Sequence, residues 1–105
     1  MNSQKIINLL TICRKSGRMT TGFDVSLNAI KDGLSKCILI ASNTSPKTVK
    51  ELNFQLQKNG FSDIKILNLP ITIEQIDTYI GVYAGVMAIC DAGFSKSFEK
   101  LILEW

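Results

Sequence analysis

The sequence predicts an α/β protein: a three-layer α/β/α sandwich around a small mixed sheet, a single domain over residues 1–105. Three observations carry this. Apolar stripes at helical spacing alternate along the chain with short, wholly apolar segments. Two of those segments, residues 37–41 and 86–90, have no polar face, so each needs helices above and below it. A chain of 105 residues with 46% hydrophobic composition has room for one core.

Taken in order, Ile6, Leu9, Leu10 and Cys13 fall at i, i+3, i+4 and i+7 and give a helix from about Asn2 to Ser16, stopped by Gly17. Arg18-Met19-Thr20-Thr21 is a short link or edge strand, peripheral enough to make the sheet mixed rather than fully parallel. Gly22 opens a second helix in which Phe23, Leu27 and Ile30 share a face until Gly33 ends it. After the strand at 37–41, Ser45 caps a third helix with Pro46 at its first position, where the missing N–H costs nothing. Val49, Leu52 and Leu56 form its inner stripe and Gly60 closes it. Residues 64–67 are a further strand, and beyond Pro70 the spacing of Thr72 and Gln75 is that of a capping box, for a short helix to about Ile80. Residues 81–85 form a tight loop and 86–90 a buried strand. Asp91 then caps the last helix, lined by Phe94, Phe98, Leu101, Ile102 and Trp105.

Twelve Lys+Arg against nine Asp+Glu leave a net charge of +3, too small a surplus to name a nucleic-acid partner without asking where the charges sit. The start of the chain has no signal-peptide pattern and no run reaches membrane-spanning length, so the expectation is a cytoplasmic protein without a membrane partner. Cys13, Cys37 and Cys90 lie in apolar stretches without CxxC spacing and read as buried structural thiols. There is no histidine, and the carboxylates fall on polar faces or at helix starts. The loop at 81–85 lacks the Gly-Lys-Ser/Thr of a phosphate-binding enzyme. No catalytic residue, metal ligand, cofactor or small-molecule substrate is therefore expected.

What remains points to RNA. Arg14, Lys15 and Arg18 come directly before the Gly22 helix start, where a residue without a side chain lets a nucleic-acid backbone approach free N–H groups. Asp24 and Asn28, one turn apart, offer short polar groups on one face. With Ala29 to Gly33, Ala41-Ser42-Asn43-Thr44-Ser45-Pro46, Leu69-Pro70, Ile80 to Gly85 and Asp91 to Lys96, the chain resembles the ribosomal protein L-seven-Ae/L-thirty-e family, and most its short bacterial members.

That resemblance implies a non-enzymatic, ribosome-associated protein that binds structured RNA, with kink-turn RNA and ribosomal RNA as the expected partners. Family members contact the guanines of sheared G·A pairs with an Asn-Glu pair after the helix-opening Gly, and grip RNA with a Lys four residues after that Asn. Those positions here are Asp24, Val25 and Asn28. Asp24 can accept from a guanine edge, Val25 cannot read a base, and Asn28 carries no charge. The family's second contact, the loop before the last strand, corresponds to Val82, Tyr83 and Ala84, where Tyr83 offers a face for a splayed base. The implied RNA site is thus Arg14, Lys15, Arg18, Gly22, Phe23, Asp24, Asn28, Val82, Tyr83 and Ala84. An alternative on the same fold is a protein-interaction module whose contact patch is Phe23, Val25 and Tyr83.

Overall fold

The computed structural model describes residues 3–104, so the predicted helix start at Asn2 and the place of Trp105 on the last helix lie outside the described residues. Along the chain come α1 (Ser3–Lys15), β1 (Met19–Thr21), α2 (Phe23–Lys31), β2 (Cys37–Ile40), α3 (Pro46–Lys58), β3 (Lys65–Asn68), α4 (Ile73–Ile80), β4 (Val86–Ile89) and α5 (Ala92–Leu103).

Local chemistry sets most boundaries. α1 ends where Gly17 takes a positive φ of 73° and Arg18 N–H reaches back to the Cys13 carbonyl, satisfying a carbonyl the helix would otherwise strand. Ser45 caps α3, its hydroxyl accepting from Lys47 N–H. Thr72 and Gln75 form the capping box of α4 in full: Thr72 Oγ1 accepts from Gln75 N–H and Gln75 Oε1 from Thr72 N–H. Asp91 caps α5 by accepting from Phe94 N–H at 2.8 Å. Each such cap contributes on the order of 1 kcal/mol. β3 is displaced by one residue from the predicted 64–67, because its pairing register begins at Cys37 opposite Lys65.

The strands lie in the order β1-β4-β2-β3. β2 and β3 are parallel, whereas β4 is antiparallel to both its neighbours, with Ala88 opposite Thr20 on β1 and Ile38 on β2. The sheet is mixed as predicted, but the reason differs: the antiparallel strand is β4, entering between β1 and β2, while the peripheral β1 runs parallel with β2 and β3.

Alternate residues of the central strands feed two cores. Cys37, Leu39, Met87 and Ile89 face α1, α4 and α5, whose Ile6, Leu10, Ile76 and Phe98 close that side. Ile38, Ile40 and Val86 face α2 and α3, through Leu27, Ile30, Leu52 and Leu56. β2 is therefore buried on both faces, as its unbroken apolar run requires. The α1 stripe differs in detail from the periodicity reading: Ile7 is buried and Leu9 only partly so, with α1 packed between α4 and α5. Phe98 is fully buried and its truncation to Ala would cost about 3–5 kcal/mol.

Candidate nucleic-acid interface

The C-terminal ends of β1, β2 and β3 and the start of β4 share one edge of the sheet, and four connections meet there. Gly22 N–H donates to the Val86 carbonyl at 2.8 Å, Ala41 N–H to Gly85 at 2.9 Å, Ser42 N–H to Ile71 at 2.8 Å and Leu69 N–H to Ile40 at 2.7 Å. These bonds bring the opening of α2 beside the 81–85 loop.

Gly22 has φ 102° and ψ 155°, a conformation open to glycine and strained for any residue with a Cβ. A Cβ there would meet nothing within 4 Å, so the space over the residue is open to solvent. No side chain caps α2. The sequence expectation of free amides needs one change: the Gly22 N–H is already held by Val86, so the amides on offer are those that follow it, ahead of Ser26 N–H, which closes on Gly22 O. Asp24, Val25 and Asn28 are exposed, Val25 to 55%. Phe23 is half-buried against the Leu27 and Ile30 core, which leaves only part of its ring for a partner.

In the loop, Tyr83 is 66% exposed and Val82 partly so. Ala84, predicted as a contact residue, is only 7% exposed; its side chain points into the protein and offers no surface. Gly85 is needed for close approach, since a Cβ would fall 2.6 Å from Thr44 Oγ1, the atom that donates to the Gly85 carbonyl at 2.9 Å.

A polar network unseen in the sequence fixes this loop. Asn43 Oδ1 accepts from Ile73 N–H, its Nδ2 donates to Glu74 Oε1 at 2.7 Å, and the Tyr83 hydroxyl donates to Glu74 Oε2 at 3.3 Å. The hydrogen bond from its own backbone N–H and the one from Asn43 hold the Glu74 carboxyl below the usual carboxylate range. The negative charge of Glu74 pushes the Tyr83 phenol up. Asn43 and Glu74 are 31 residues apart, so no spacing rule could have joined them.

Arg14, Lys15 and Arg18 are exposed, and among the described residues the ion pair within 4 Å is Lys65–Glu99, which leaves the three cations without carboxylate partners. They are not one cluster beside Gly22. Arg18 sits at the far end of β1, where its carbonyl accepts from Cys90 N–H, about 13 Å of extended chain from Gly22. Arg14 and Lys15, held beside it by the bond from Arg18 N–H to the Cys13 carbonyl, flank Tyr79 and Ile80 at the end of α4.

Burial pushes the thiols of Cys13 and Cys37 up to about 11. Cys90, expected to be buried, is only partly so, because its residue has left the sheet and turns toward the start of α5. Among the described residues no group of three or more His, Cys, Asp or Glu is placed to hold a metal ion, and no helix is long and apolar enough to cross a membrane.

Residues 4–99 match the ribosomal protein L7Ae/L30e/S12e/Gadd45 family. The RNA-binding protein YlxQ of Enterococcus faecium is 27% identical over 101 residues, covering 96% of this chain and 94% of the relative. The large ribosomal subunit protein eL30 of Saccharomyces cerevisiae is 31% identical over 104 residues, covering 96% of each. A solved 15.5kD RNA binding protein of Giardia lamblia shares the fold, with a TM-score of 0.68 over 97% of this chain and 85% of its own at 15% identity. These names belong to RNA-binding and ribosomal proteins and not to enzymes. The chain belongs to the ribosomal protein L7Ae/L30e/S12e/Gadd45 family.

Proposed function

We propose that the protein is a non-enzymatic, ribosome-associated RNA-binding protein of the cytoplasm, and that it takes structured, kink-turn-like RNA at the edge where α2 opens. The observation that carries this reading is Gly22: an uncapped helix start with open space above it, tied by its own N–H to the strand beside the Tyr83 loop. Family membership and the names of its relatives support it. In this reading Arg14, Lys15 and Arg18 position RNA through phosphates, and Asp24, Asn28 and Tyr83 supply selectivity. Val25 and Asn28 lack the acceptor and the charge the family uses, and each such contact is worth about 1–3 kcal/mol, so kink-turn binding is expected to be weaker than in relatives that keep both.

The test is a titration with a standard kink-turn, the same RNA with its G·A pairs replaced by Watson–Crick pairs, and total ribosomal RNA. Preference for the intact kink-turn supports the proposal. Equal binding of both hairpins assigns recognition to another feature of RNA, and failure to bind any of the three overturns it. That last result would favour a protein-interaction module, to which one observation already lends weight: exposed Tyr83 lies beside the carboxylates of Glu74 and Asp77, which repel phosphate.

A further inference from the structure

The ends of α1 and α4 enclose a depression of about 170 Å³ lined by Thr11, Arg14, Lys15, Tyr79 and Ile80. We propose that this depression is a subsite for one unpaired base of the bound RNA, stacked on Tyr79, with the neighbouring phosphates held by Arg14 and Lys15. The inference rests on the RNA-binding reading above and adds to it a residue, Tyr79, and a place for a base away from the α2 opening.

Size selects the occupant. The space is roughly half the ~300 Å³ at which pockets for whole small molecules begin, so it admits one planar group and leaves sugar and phosphate outside. Its chemistry agrees. Tyr79 is 52% exposed, a large ring kept in water although Ile76 and Ile80 of the same helix reach the core. Arg14 and Lys15 at a helix C-terminus are accounted for by the helix dipole, but that does not account for an exposed aromatic ring between them and the end of α4. Neither cation has a carboxylate within 4 Å among the described residues, so both charges are free for phosphate. Asp77, two residues before Tyr79, is turned about 200° round α4 from it and acts on Tyr83 instead. Thr11 donates its hydroxyl to the Ile7 carbonyl, which leaves its oxygen as an acceptor at the rim. Ile80, which lines the depression, is followed within three residues by Val82 and Tyr83 of the loop at the proposed interface. Stacking on an aromatic tolerates any base, so this subsite contributes affinity and not sequence preference.

The experiment uses the full chain and fragmented ribosomal RNA carrying iodouridine, which cross-links under ultraviolet light to an aromatic ring it stacks on. Cross-links are mapped by mass spectrometry, and affinities are measured for the wild type, Tyr79→Ala, Tyr79→Phe and Arg14→Ala/Lys15→Ala. Cross-linking at Tyr79 is expected, with a loss of about five- to 150-fold in Tyr79→Ala, the effect of one base stack, and near-wild-type affinity in Tyr79→Phe. The double variant should lower the slope of log affinity against log salt by ~0.7 for each phosphate lost. Thermal unfolding confirms that the variants fold, as the exposure of all three residues leads one to expect. If the wild type binds RNA but cross-links elsewhere, and Tyr79→Ala binds as well as the wild type, the subsite is refuted while the RNA-binding reading stands. If the wild type retains no RNA, both fall together.

Discussion

The Tyr83 hydroxyl donates to Glu74 Oε2, and the other oxygen of that carboxylate accepts from Asn43. A residue in the loop before β4 is thereby tied, through the first turn of α4, to Asn43 in the segment between β2 and α3. The tie uses the hydroxyl and leaves the ring of Tyr83 exposed, so it orients the ring without covering it. It also sets a carboxylate beside the surface proposed for RNA.

Acidification should release this loop. Glu74 has a lowered pKa in the folded protein, so its contribution is complete above the ordinary carboxylate range and is lost as pH falls through the lowered value. NMR resonances of the Asn43 side-chain amide and the Tyr83 ring should move together over that step. In Glu74→Gln the step should vanish, and the Tyr83 phenol should return toward its ordinary value because the charge that raises it is gone. Tyrosinate absorbance reads this directly; an unchanged alkaline titration would show that the two groups do not meet in solution.

Restoring the family's readers should create or strengthen kink-turn binding. Asp24, Val25 and Asn28 are all exposed, so Asp24→Asn, Val25→Glu and Asn28→Lys change no packing. Two regained contacts should tighten the complex by roughly 2–5 kcal/mol, about 30-fold to several thousandfold before non-additivity. Replacing the G·A pairs should abolish the gain. A triple variant that folds and still ignores the kink-turn would remove the α2 opening from the RNA-binding surface.

Arg18 should matter less than Arg14 and Lys15. Its N–H bonds to the Cys13 carbonyl beside Arg14, but it does not line the depression that Arg14 and Lys15 share with Tyr79 and Ile80. Arg18→Ala is expected to leave affinity and salt dependence close to wild type, while the Arg14/Lys15 double variant weakens binding and flattens the slope. Equal effects from the two variants would mean that RNA wraps past the end of β1.

Two glycines of this edge should respond to alanine for different reasons. Gly22→Ala meets no neighbour but must hold a φ of 102°, a conformational cost of about 1–3 kcal/mol. Gly85→Ala meets Thr44 Oγ1 at 2.6 Å, so its cost is steric and Thr44→Ala should recover part of it. Urea unfolding of the singles and of Thr44→Ala/Gly85→Ala checks both; the second alanine should do nothing for Gly22→Ala.

Thiol reagents should separate the cysteines. Cys13 and Cys37 are buried and pushed up to about 11, so little thiolate is present near neutrality. Cys90 is partly exposed and should be modified first, with all three reacting at once only in denaturant. Rapid native reaction of Cys37 would place it at the surface.

What was legible in the sequence is what short-range chemistry decides. Ser45-Pro46, the Thr72 and Gln75 pair and Asp91 announce helix starts within four residues of themselves, and all three stand as read. The two-faced burial of β2 follows from four apolar residues in succession. Illegible were contacts across the fold. Ser26, in the middle of α2, is buried because its hydroxyl pairs with that of Thr20, and Ser35 because its hydroxyl reaches the Ile89 carbonyl 54 residues away. The Arg14, Lys15 and Arg18 run was legible as basic but its place was not: the turn at Gly17 holds Arg18 N–H on the Cys13 carbonyl, so the three stay together at the start of β1, away from Gly22. Ala84 lay within a loop otherwise exposed, and nothing local distinguished the residue that turns inward.

The central place of β4 also governs the order in which the molecule can assemble. β2 and β3 can pair as soon as both exist, but among the described residues β1 has no hydrogen-bonded strand neighbour other than β4, and Thr20 waits for Ala88, 68 residues later in the chain. Emerging from the ribosome, the first helix and strand must therefore remain without their sheet partner until β4 has been made. Because Gly22 is anchored to Val86, the surface proposed for RNA comes into being in the same late step. A nascent chain would be unable to engage its RNA at this edge before β4 has emerged and paired.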